Sequence, residues 1–175
     1  LAKYWTKDCG TDNVRTMVNL CGRTPDFVRH EPNLDWPSTQ QAWTGLDSRF
    51  QEYWSARHSG IIHIPTAGNW TFYLRSDDGS KLWIDDVEIV DNQGHHAMQE
   101  RSGVVWLDAG EHHLRTEFFE HGGYAGRELK WEGPGIPKHT VPTNVLTRGS
   151  SFHVRDSDLI HHWECNEVSG DIAND

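Results

Sequence analysis

The chain has 175 residues, 35% of them apolar and 11% aromatic, with nine Trp. That length suits one domain with a sizeable core and at most a fragment of a second. The formal net charge of −10 excludes a nucleic-acid binder working through Lys/Arg clusters, and no apolar run reaches the ~20 residues of a transmembrane helix.

In chain order, Leu1 opens the sequence without Met or secretory signal, as in an excised or processed piece. Cys9 and Cys21 lie in a polar segment without periodic pattern. A disulfide there would staple a loop that buries little and would indicate an oxidising compartment; two free thiols are the alternative. Cys165 lies in a different region and has no evident partner. Residues 1 to about 50, with Pro25, Pro32 and Pro37, read as irregular. From Trp54 the pattern changes. "ARHSGIIHI" runs into the turn "PTAGN". "WTFYLR" then alternates, with Trp70, Phe72 and Leu74 on one face. "KLWI", "VEIV", "GVVWL", "HHLRTEFF" and "RELKWEG" follow, separated by turns at Asp77–Gly79, Asp85–Asp86 and "DAGE". Short strands with frequent turn signals predict an all-β antiparallel sandwich or barrel. From about residue 147 the style shifts to a linker and the start of another unit.

The turn in "YLRSDDGSKLWIDD" raises a chemical question. An Asp-Gly turn needs one carboxylate, yet Asp77 and Asp78 stand side by side. Either this is a solvated turn with a spare acid, or the pair holds a cation. The twelve His form doublets at 95–96, 112–113 and 161–162. None has i, i+4 helical spacing and the cysteines lie far away, so zinc is disfavoured. His112, on the apolar face of its strand, is expected to be a hydrogen-bonded core residue. No paired-carboxylate motif, nucleophile elbow, phosphate loop or EF-hand spacing is present, which argues against an enzyme. "NWT" at Asn69 is a glycosylation sequon.

The ordered pieces "LAKYW", "PDFVRHEPNLDWP", "FQEYWSARHSGIIHIPTAGNWTFYLRSDDGSKLWIDD", "VDNQGHH", "LDAGEHHLRTEFFE" and "GGYAGRELKWEGPG" resemble a PA14 domain over residues 1–146. The segment 147–175, with "DLIHHWECNEVSGDIAND", resembles a linker and the truncated start of a laminin-G-like domain. The resemblance implies a β-sandwich module of extracellular proteins. In the family's lectin members a cis Asp-Asp bond lets both carboxylates bind one Ca²⁺, and sugar hydroxyls complete its shell. Asp77 and Asp78 match those positions. A second loop of such members gives a side-chain oxygen and two main-chain carbonyls. In "EHGGYAGRE" that register points to His121, Gly123 and Ala125. His121 departs from the pattern, since imidazole is a poor calcium ligand; Glu120 substituting for it is one alternative. Gly122, Tyr124 and Arg127 would then face a glycan. The implied function is a calcium-dependent carbohydrate-binding module of an adhesin or surface protein. The alternative is a structural or protein-interaction module without sugar binding, because family membership fixes fold better than function.

Overall fold

Period-two alternation builds the molecule, and it is cleanest in the strands that cross the core. The computed structural model describes residues 1–6, 20 and 22–148. Its strands are β1 (Ala2–Thr6), β2 (Phe27–Arg29), β3 (Asp35–Thr39), β4 (Trp54–Ile64), β5 (Gly68–Asp77), β6 (Ser80–Ile84), β7 (Val87–Asn92), β8 (Gln99–Leu107), β9 (Gly110–Glu120), β10 (Ala125–Gly133), β11 (Ile136–Thr140) and β12 (Leu146–Thr147). One sheet runs β2-β1-β4-β9-β6-β7, with β12 also on β4. The other runs β11-β10-β5-β8, with β3 also on β10. Every pairing is antiparallel.

The inward faces meet in a single core. Trp70, Phe72 and Leu74 of β5 and Leu129 and Trp131 of β10 face Trp54 and Ile62 of β4, Leu82 of β6 and Phe118 of β9. The two-residue turn at Asp85–Asp86 has positive φ at both positions, the geometry that a tight hairpin requires.

The irregular N-terminal segment expected from the sequence is corrected in part. β1 lies along β4 with Ala2 opposite His58 and Thr6 opposite Trp54, and β2 adds to β1. β3 lies along β10 through a bulge: between Trp36 and Thr39 it uses two residues where β10 has only Gly126. Pro37 sits in that bulge, where no ladder donor is required. A Cβ on Gly126 would lie 2.8 Å from the Ser38 Cα, so the close approach demands glycine. β3 and the loop after it bring Trp36 and Trp43 together, stacked at 4.4 Å and 5°. These strands carry no long alternation and are held by the longer ones they join. Cys9, Cys21, Cys165 and the laminin-G-like segment lie outside the described residues.

Arg127 is not a surface residue. It is fully buried, with its guanidinium carbon 5.0 Å from the Trp36 ring centroid and 5.6 Å from that of Trp43. Its Nη1 donates to Thr116 Oγ1 (2.9 Å) and its Nη2 to His58 Nδ1 (2.9 Å). Burial, then the Arg127 charge, holds His58 well below the ordinary histidine pKa, so its Nδ1 is free to accept that bond. A sugar at the surface cannot touch Arg127. His112 is hydrogen-bonded as expected, to Asp85 Oδ2 (2.6 Å) and the Asp108 carbonyl (2.9 Å), but it is half-buried at the rim of its sheet, outside the core.

Candidate metal centre

β5 ends at Asp77 and β6 begins at Ser80, so the turn between them joins one sheet to the other. The turn is tight because Gly79 lies against Phe119. A Cβ at Gly79 would come within 2.2 Å of that ring, and the Gly79 carbonyl accepts the Phe119 N–H (3.0 Å). Beneath the turn, Ser76 and Ser80 share a hydroxyl hydrogen bond (2.6 Å) and Asn92 donates to Ser76 Oγ (3.0 Å). These bonds fix the strand ends that carry the acids.

The Asp77–Asp78 peptide bond is cis. Asp78 is nearly buried and ties two loops together: His96 N–H donates to its Oδ1 and His121 N–H to its Oδ2, both at 2.9 Å. The third acid is Glu120, the last residue of β9 and fully buried. Gly122 N–H donates to its Oε1 (2.6 Å). One carboxylate oxygen each from Asp77, Asp78 and Glu120 lie within 4.8 Å of one another.

Three carboxylates so placed repel one another, and the proton affinities of Asp77 and Glu120 register it. Burial, then the Asp78 carboxylate, pushes Asp77 up to about 6. Burial, then the Asp78 and Asp77 carboxylates, pushes Glu120 up to about 9. A hard divalent cation relieves the same repulsion, and an all-oxygen donor set suits calcium better than a soft transition metal. The residues present therefore fit a calcium ion.

The structure redistributes the expected ligands. Asp77 and Asp78 are brought together as expected, but the side-chain oxygen joining them belongs to Glu120, the alternative to His121. The His121 ring instead packs between Tyr53 (centroids 5.5 Å apart) and His95 (4.8 Å). Gly122 and Gly123 both have positive φ, which bends the loop back over the acids. The Gly123 backbone is exposed. Ala125 is buried in β10 and its carbonyl accepts the Trp43 indole N–H (3.4 Å), an engagement within the core. Tyr124 is half-exposed at the loop tip, as a ligand-facing residue requires. Sequence reasoning missed Tyr53, half-exposed with φ of 57° beside His121. Its only signal was an aromatic residue next to the start of a long strand.

A family model described as the PA14 domain matches residues 45–144. The chain is 29% identical over 124 residues to "Anti-sigma-I factor RsgI3" of Acetivibrio thermocellus, a match that covers 69% of this chain and 18% of that protein. It thus spans less than a fifth of this curated relative. Among solved structures, an "anti-sigma factor domain-containing protein" superposes with a TM-score of 0.68 at 25% identity, over 83% of this chain and 46% of the other. The "PA14 sugar-binding domain from RTX adhesin" superposes with a TM-score of 0.69 at 17% identity, over 85% and 97%, and so shares the fold.

Proposed function

The chain belongs to the PA14 domain family, and from that premise we propose that it is a calcium-dependent carbohydrate-binding module of an extracellular or cell-surface protein. The observation that carries this reading is the convergence of Asp77, Asp78 and Glu120 oxygens at one loop-covered turn. Asp78 orients the two loops through its backbone bonds, and Glu120 and Asp77 supply the remaining negative charge. Calcium bound there would offer open coordination positions to vicinal sugar hydroxyls. Tyr124, exposed in the loop after Glu120, and Tyr53, exposed beside His121, would select among sugars by packing against the ring. The family and the relatives point to a non-catalytic role, and an adhesin sugar-binding domain shares the fold.

A second reading is favoured by the anti-sigma factor relatives: a module that serves protein interaction or architecture in a longer chain, without sugar. The two separate on a glycan array run with and without EGTA. The lectin reading expects calcium-dependent signals that Asp77→Ala abolishes and Tyr124→Ala re-ranks. One monosaccharide should bind only at millimolar to high micromolar strength, because the open polar site buries little area. Binding that survives both EGTA and Asp77→Ala on every positive glycan, or none at all, would overturn it. The extracellular placement also expects the Cys9–Cys21 disulfide. Intact mass after alkylation without reduction checks it; two alkylated thiols would count against it.

A further inference from the structure

The outer face of the β8-β5-β10-β11 sheet carries an aromatic-aliphatic patch that the metal centre does not use. Along β5 the inward Trp70, Phe72 and Leu74 alternate with outward Asn69, Thr71, Tyr73 and Arg75. Trp106 lies opposite Asn69 in the ladder and Val104 lies opposite Thr71. Trp106 is 64% exposed and Val104 65%, side by side on one strand face.

The surrounding charge decides what this patch suits. Arg75 pairs with Glu128 (3.2 Å), Lys130 with Glu128 (3.1 Å) and Lys138 with Glu100 (2.6 Å). Tyr73 donates its O–H to Glu132 (2.6 Å), and Lys138 Nζ lies 3.7 Å from the Tyr73 ring centroid. Three cations (Arg75, Lys130, Lys138) thus face Glu100, Glu128 and Glu132, with Asp35 opposite Glu128 on β3, so most charges of this face are already paired and Trp106 and Val104 themselves offer a charged partner nothing. The two apolar side chains expose on the order of 250 Å², well short of the ~800 Å² per partner of a stable protein interface. That area matches one or two pyranose rings. Their C–H faces stack on an indole, and their hydroxyls find hydrogen-bonding groups in Asn69 and Thr71.

We propose that Trp106 and Val104, flanked by Asn69 and Thr71, form a second, metal-independent platform for an uncharged polysaccharide. It stands apart from the metal centre. Asn69 is eight residues from Asp77 along β5, about 26 Å at strand rise.

Native affinity electrophoresis in EGTA tests it, with mixed-linkage β-glucan, xyloglucan, xylan and galactomannan each cast into the gel. The wild-type chain and Asp77→Ala should be retarded equally by at least one of them. Trp106→Ala should lose at least fivefold of that retardation with its thermal midpoint unchanged, and Trp106→Phe should retain part of it. Because calcium is absent throughout, the outcome is separate from that of the lectin reading. The proposal is overturned if no polysaccharide retards the wild type in EGTA, or if Trp106→Ala is retarded as strongly as wild type. It is equally overturned if sedimentation shows a dimer that Trp106→Ala dissolves, which would make this face a contact between copies.

Discussion

Glu120 holds the most displaced proton of the metal centre, and the sign of its effect is fixed by linkage. Without metal, the folded chain keeps a proton on Glu120 up to pH about 9, whereas the unfolded chain releases it near the ordinary glutamate value. The folded state therefore binds more protons across that window, and stability falls as pH rises. His58 opposes this only below about pH 6.5, where the unfolded chain takes up a proton that buried His58 refuses. Urea unfolding in EDTA between pH 6.5 and 9 should show a loss of up to about 3 kcal/mol. Glu120→Gln or saturating calcium should flatten the slope; a flat wild-type profile in EDTA would refute the account. Arg127 makes a different prediction. Arg127→Ala leaves buried His58 and Thr116 without their donor and opens a void beneath Trp36 and Trp43, and should lower stability by about 2–4 kcal/mol in urea unfolding, while a stable variant with altered sugar ranking would contradict its burial. The sequence made Asp77 and Asp78 legible because adjacent acids at a turn are unusual. Glu120 was harder to see, because it meets them from a different strand of the other sheet. Arg127 was misread although the signal was there: it shares parity with Leu129 and Trp131 along β10, which places it on the inner face.

At the scale of elements, the strands from Trp54 to Gly133 announced themselves and the short ones before them did not. β5 and β9 run ten and eleven residues, long enough for alternation to stand above chance. β2 has three residues, β1 and β3 five, and β3 contains a proline. Their existence depends on partners distant in sequence, which no local pattern reveals. What they add is cover. Trp43, in the loop after β3, packs against Trp54 (4.8 Å) and Phe118 (5.0 Å) as well as Trp36. Trp43→Ala should therefore cost about 3–5 kcal/mol, measured by urea unfolding. A loss under 1 kcal/mol would mean that residues 35–43 merely rest on the sandwich.

For the molecule as a whole, the proposed calcium would be a ligand of the native state only, because the acids converge only when β5 and β9 are in place. A thousandfold excess over the dissociation constant should raise stability by about 4 kcal/mol. At roughly 2–4 °C per kcal/mol, the thermal midpoint should rise by about 8–16 °C in wild type and not in Asp78→Asn. No shift at millimolar calcium would remove the metal centre. The stacked pair Trp36–Trp43 has one more consequence, an optical one. Two indoles nearly parallel at 4.4 Å share their electronic excitation instead of absorbing singly, and the Arg127 charge at 5.0 and 5.6 Å imposes a fixed electric field on both transitions. Fixed packing of this kind gives indoles a near-ultraviolet circular dichroism signal, and part of that signal should vanish when β3 leaves β10, giving the undocking of that segment its own colour without any label.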